Sequence, residues 1–330
     1  MTQTRYSQFK EEIKNLFEDK KGGVSVAIVD DEKTEFFNYG PDSGKHSVYE
    51  IASITKVFTA LLLVILEEQG VISNDKRIGD ILTDITYQDP NVSDITLGEL
   101  ATHTSGLPRL PNNLGFADIK NPYADYREKD LLEFLSGHQL DVDSKGKAHY
   151  SNLGYGILGY ILEVVSNKSF PGLLHENIFK PVGMHNTTVN LVNDPPSTSV
   201  LDGYDKKGSC VPAWQQQNIT VGAGGILSST YDMSLFLQTQ IGLSKSGLSP
   251  AIEKTHIPFV VNDEHQVKHG FGWIVDQSET GHQVLWHNGA TGGFKSFIGF
   301  NKEESIGVIA LANTKVDVDK RGRWFLTGKS

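Results

Sequence analysis

Hydrophobic positions recur at helical spacing near the start of the chain, where Tyr6, Phe9, Ile13, Leu16 and Phe17 share one face of an amphipathic helix. Gly22-Gly23 end that pattern, and Val24 to Val29 follows as a strand rich in β-branched residues. A polar turn, Asp30-Asp31-Glu32-Lys33, leads into Thr34 to Tyr39 and predicts a hairpin. Val57 to Leu66 is almost wholly apolar, too short to span a bilayer, and reads as a buried helix ending at Gly70.

Shorter helices are predicted over Ile95 to His103, Lys129 to Leu135, from Ser151-Asn152 through Val165, and from Pro171 to Phe179. Asn193 to Gln217 reads as a long loop, which in a compact protein is a functional segment or a lid. After Gly222-Ala223-Gly224-Gly225 another helix is predicted from Thr230 to Gln240. The remainder alternates as strands: Phe271 to Val275, Gln283 to His287, Phe294 to Phe300 and Ser305 to Leu311, with a short helix over Val316 to Leu326. Strands at both ends with helices between predict an α/β protein of the α+β type. One antiparallel sheet is built from both chain ends and interrupted by an all-helical insertion. The sheet part takes 1–75 and 215–330, and the insertion, with its long loop, takes 76–214.

Composition narrows the function. The 330 residues are 38% hydrophobic and 21% charged, as in an ordinary globular protein. A net charge of -10 without any basic stripe argues against a nucleic-acid partner. Cys210 is the only cysteine, so no intramolecular disulfide forms and no cysteine-based metal site is expected. His265 and His269 are four apart, but no helix pattern supports a metal there. Gly222 to Gly225 lacks the Gly-Lys-Ser/Thr ending of a phosphate loop. Neither metal nor cofactor is called for. The first residues hold no apolar signal core, so the expected location is the cytoplasm, or the periplasm or exterior if a leader has been removed.

The candidate chemistry begins with Ser53-Ile54-Thr55-Lys56, where a serine and a lysine three apart share one helical face. A serine needs a neighbouring base to become a nucleophile, and an amine serves if burial or a second cation lowers its pKa. Two further stretches accompany it: Tyr150-Ser151-Asn152 at a helix start, and His287-Asn288-Gly289-Ala290 at a strand end running into glycines. Read singly, Tyr150 is equally a half-buried aromatic, Asn152 a helix cap and His103 a structural histidine.

Together, in this order, the three stretches resemble the motifs of the penicillin-recognising serine hydrolases, which include class C β-lactamases, D-alanyl-D-alanine carboxypeptidases, D-aminopeptidases and related esterases. His103-Thr104-Ser105-Gly106-Leu107-Pro108 and Gly224-Gly225-Ile226-Leu227-Ser228-Ser229 are also similar to stretches usual in that family. The resemblance covers about residue 20 to about residue 312. It implies a β-lactamase/transpeptidase-like fold with Ser53 as nucleophile and Lys56 and Tyr150 sharing the proton work, the phenol as phenolate or as relay. It further implies that Asn152 contacts the substrate amide or the lysine. Gly289 lets the strand approach the substrate, and the N–H groups of Ser53 and Ala290 form an oxyanion hole.

The family's Lys-Thr-Gly box, which grips a substrate carboxylate, is here His287-Asn288-Gly289. A neutral imidazole and an amide favour small esters or amides, with charging of His287 toward pH 6 expected to strengthen carboxylate binding. A small ester, amide or β-lactam is therefore the expected partner, with no membrane span. The oligomeric state stays open. Alternatives are a true β-lactamase or D-alanyl-D-alanine carboxypeptidase, and a non-catalytic binding or scaffold member of the family.

Overall fold

The computed structural model describes residues 3–115, 123–189, 196, 199–214, 218–260 and 268–329. Its centre is an eight-stranded antiparallel sheet that draws on both chain ends. In spatial order the strands are Thr34–Tyr39, Val24–Val29, Ile306–Ala312, Lys295–Asn301, Gln283–Ala290, Ile274–Gln277, Lys268–His269 and Phe259–Val260. The first strand pairs with the last long one, Val26 opposite Ala310, and the expected hairpin pairs Val26 with Phe37.

Both faces of the sheet are covered, which explains why the central strands are buried along their whole length. On one face Phe9, Ile13 and Phe17 of the Gln3–Phe17 helix, with Phe325 and Leu326 of the Asp319–Thr327 helix, cover Val24, Val26, Trp286 and Phe297. On the other face the Thr55–Glu68 helix lies in a larger core with Ala27, Leu285, Ile298 and Ile309. Helices Glu128–Gly137, Asn152–Ser166 and Phe170–Leu174 add Leu131, Leu135, Ile157, Ile161 and Leu173 to the same core.

Local chemistry sets the element ends. Ser151 caps the Asn152–Ser166 helix by accepting from Gly154 N at 2.9 Å. The helix expected over Ile95 to His103 contracts to Leu97–Ala101, because a Thr96/Glu99 capping box starts it late and His103 leaves helical space at φ 62°. The strand expected from Phe271 begins only at Ile274, since Gly272 (φ +76°) turns the chain against the backbone of Lys56. Two short strands at one end of the sheet, Phe259–Val260 and Lys268–His269, carry no alternation that a sequence pattern could show. Of the stretch read as a long loop, residues 193–195, 197–198 and 215–217 lie outside the described residues. What is described is not structureless: Gly203–Tyr204 pairs with Cys210–Val211, and Tyr204 N donates to the Asn313 carbonyl at 2.9 Å. Among the described residues no helix is long and apolar enough to cross a membrane.

Candidate active site

The chain enters the site through Tyr49–Glu50, paired with Leu227–Ser228, and then makes a 3-10 turn, Ala52–Ile54, that runs into the Thr55–Glu68 helix. Ser53 therefore sits one turn before the helix proper and caps nothing. Ala52 has φ 50°, a left-handed conformation that costs a non-glycine residue roughly 1 kcal/mol or more and must be held by its surroundings. They hold it from both sides. Ile51 N donates to the Ile226 carbonyl at 3.1 Å, and Ser296 Oγ donates to the Ile51 carbonyl at 2.7 Å. Gly289 is what lets the sheet come this close: a Cβ there would lie 2.4 Å from the Ile51 carbonyl and 2.4 Å from Ser296 Oγ.

Lys56 is fully buried, with Nζ 3.2 Å from Ser53 Oγ and donating to the Ala223 carbonyl at 2.6 Å. Among the described residues no carboxylate pairs with it. Burial, aided by the positive charge of Arg109, holds its pKa well below the usual lysine range. Its amine stands 4.9 Å from the centroid of the Tyr150 ring. The Tyr150 hydroxyl is hydrogen-bonded to Ser53, yet burial pushes its pKa up to about 12, against the opposing pull of that bond and of Arg109. Of the two states open for Tyr150, the environment favours the neutral phenol over the phenolate.

The structure thus brings Ser53, Lys56 and Tyr150 together, and with them Asn152 and Ala290 on the wall of a cavity of about 190 Å³. Asn152 bonds to Tyr123, and its buried Oδ1 has no partner among the described residues. His287 lies nearby, its ring 6.4 Å from that of Tyr150, but it is fully buried with Nδ1 2.7 Å from the Asn288 carbonyl oxygen. Burial first, then Lys56, lowers its pKa to about 3, which corrects the expectation that it charges toward pH 6. Asn288 is not brought to the cavity at all. Adjacent residues of a strand point to opposite faces, so with His287 and Gly289 facing the site, Asn288 faces the terminal helices and donates to Asp319. The pair cannot grip one carboxylate together. His103 is structural here: its Nδ1 accepts from Ser151 N at 3.1 Å, and its ring packs 4.5 Å from that of Tyr150.

Several site residues escaped the sequence reading. Ala223 contributes only a backbone carbonyl, to which no sequence pattern points. Arg109 and Tyr123 line the cavity from the stretch after the His103–Pro108 segment, and Trp214 closes another side. Glu50 is 4% exposed, accepts from Trp214 N and from Thr291 Oγ1, each at 2.6 Å, and has its pKa raised to about 7 by burial. The one available signal was an acid three residues before Ser53. Among the described residues no three histidines, cysteines or acids gather to hold a metal, and His265 lies outside them.

A serine hydroxyl held against a buried amine and a phenol, on a helix packed beneath an antiparallel sheet, defines a serine-hydrolase type of site. The β-lactamase family profile matches residues 9–328, and the chain belongs to that family of serine hydrolases. Protein flp of Staphylococcus aureus (strain MW2) is 26% identical over 306 residues, covering 88% of this chain and 59% of that protein. Penicillin-binding protein 4* of Bacillus subtilis (strain 168) is 26% identical over 293 residues, covering 83% of this chain and 62% of that protein. The chain thus spans about three-fifths of the length of these curated relatives. The crystal structure of a β-lactamase/D-alanine carboxypeptidase from Pseudomonas syringae shares the fold, with a TM-score of 0.83, 20% identity and 98% of each chain covered.

Proposed function

We propose that this chain hydrolyses small esters or amides through an acyl-enzyme on Ser53. The carrying observation is Lys56: an amine fully buried, without a carboxylate partner among the described residues and in contact with Ser53 Oγ, is poised as a neutral base. In acylation the Ser53 proton passes to Lys56, directly or through the Tyr150 hydroxyl, as Oγ bonds to the substrate carbonyl carbon. The N–H groups of Ser53 and Ala290 receive the oxyanion, a contribution of about 3 kcal/mol for each such donor. The tetrahedral intermediate collapses with the proton returned through Tyr150 to the leaving alkoxide or amine. Water then repeats the sequence on the acyl group and frees Ser53. In this reading Lys56 comes from the sheet part (1–75 and 215–330) and Tyr150 from the helical insertion (76–214), so the acyl site lies at their seam.

A β-lactam or D-alanyl-D-alanine peptide is the second reading, supported by the family and by the name of penicillin-binding protein 4*. The placement of His287 and Asn288 supports the first more, because the strand offers no cation to a carboxylate. Reaction with a fluorophosphonate followed by peptide mass spectrometry tests the acyl-enzyme reading. The adduct is expected on Ser53, and an unlabelled protein would overturn it. Short p-nitrophenyl esters, D-amino-acid anilides and a chromogenic cephalosporin, compared on one preparation, decide between the substrate classes.

A further inference from the structure

Arg109 is an exposed cation on the wall of the Ser53 cavity, and the other side chains that line it carry no charge. Its guanidinium carbon lies 4.9 Å from the centroid of the Tyr150 ring. A cation so placed is attracted by the ring's quadrupole and spends none of its N–H donors on it. Among the described residues Arg109 has neither an ion pair nor a side-chain hydrogen bond. Among the described residues the Tyr150 ring is therefore its one side-chain partner, and no anion offsets its charge. The Arg109 carbonyl accepts from Asn152 N at 3.0 Å, which ties the cation to the same wall as the orphaned Asn152 Oδ1. That wall offers beside Ser53 one acceptor, suited to a substrate N–H, and one cation without a counter-ion among the described residues, suited to an anion. Elsewhere the protein is acidic, with a net charge of -10, and its field repels anions. A local cation in a small cavity reverses that preference only inside the site.

We propose that Arg109 is a specificity-determining residue that reads a carboxylate on the acyl part of the substrate, so that esters or amides of acidic acyl groups are the preferred class. The inference rests on the acyl-enzyme reading of Ser53. It places the anion subsite on the Asn152 wall, across the cavity from the strand where the sequence had suggested one.

The test is a matched pair of esters, p-nitrophenyl hydrogen adipate and p-nitrophenyl hexanoate, which differ in the terminal carboxylate at equal chain length. The readout is the ratio of their kcat/KM values in the unmodified protein, in Arg109→Met and in Arg109→Lys. Charge-assisted hydrogen bonds predict a ratio about tenfold or more higher in the unmodified protein than in Arg109→Met, with Arg109→Lys between. Added salt lowers the ratio in the unmodified protein and leaves that of Arg109→Met nearly constant. A residue that only tunes Lys56 and Tyr150 would slow both esters alike. A ratio unchanged within about twofold by Arg109→Met therefore overturns the proposal while leaving the acyl-enzyme reading in place. If the unmodified protein hydrolyses neither ester and takes no fluorophosphonate, the acyl-enzyme reading falls and this inference with it.

Discussion

Lys56 Nζ and the Ala223 carbonyl oxygen stand 2.6 Å apart although 167 positions separate them in the chain. The carbonyl gives the buried amine a hydrogen-bond acceptor without giving it a counter-ion. A carboxylate in that place would hold Lys56 protonated and useless as a base, whereas a neutral oxygen orients it and leaves burial to lower its pKa.

The pH dependence follows. A base works only when deprotonated, so kcat/KM for a neutral ester rises with pH through the lowered pKa of Lys56 and then levels. The half-maximal point is expected well below the ordinary lysine value of 10.5, and any loss from ionising Tyr150 only near pH 12. A pH–rate profile checks this; an acid limb centred at 10 or above would mean an ordinary, solvated ammonium.

Ser53→Ala removes one hydroxyl from a turn held by Ile226 and Ser296, so the protein is expected to fold and to lose all covalent labelling. Lys56→Ala and Tyr150→Phe should each lower kcat by about 10²–10⁴, and the double variant by little more, since the two act on one proton. Additive losses in single-turnover measurements would assign them to separate steps.

Asn288 gives a contrasting expectation. Asn288→Ala strips a donor from the largely buried Asp319 and should cost about 1–3 kcal/mol in urea unfolding, with kcat/KM for a neutral ester changed less than about threefold. Because the pKa of His287 is lowered to about 3, acidification from pH 7 to 6 should not shift the preference between a cephalosporin and an ester. A shift in that ratio would show that His287 charges.

Glu50 makes stability pH-dependent in a defined direction. Its pKa is raised in the folded protein from 4.5 to about 7, so the stabilisation it gives is fully present below about pH 4.5 and is lost as pH rises through 7. The difference in unfolding free energy between the unmodified protein and Glu50→Gln should therefore fall by about 2 kcal/mol from pH 5 to pH 8. A flat difference across that range would place the carboxyl in contact with water.

Much of this was legible in the chain itself. The apolar run at Val57 to Leu66, the β-branched strands and the Ser53/Lys56 spacing are local features, and local features survive folding. The sheet built from both ends followed from them, and the meeting of Ser53 with Tyr150 followed from the family resemblance of the three stretches. What failed to show depended on tertiary environment. The charge state of His287 is set by burial, the target of Lys56 is a backbone atom, and Arg109 matters only because of the cavity it faces. Asn288 was misplaced for a simpler reason: two neighbours on one strand were assigned to the same face, against the two-residue period.

The bond from Ser296 to the Ile51 carbonyl joins residues 245 positions apart, and the strand that flanks Val24–Val29 is the last of the sheet. On a ribosome, Ser53 emerges long before the groups that hold the left-handed Ala52 beside it. A nascent chain, or one cut short ahead of Ile306–Ala312, would carry Ser53 and Lys56 but not the geometry that joins them. The geometry of the proposed site accordingly waits until the strand Ile306–Ala312 has been made. Contacts of such long range also predict slow folding. Fluorophosphonate reactivity of stalled chains of increasing length should stay at background until the final strand is free of the exit tunnel.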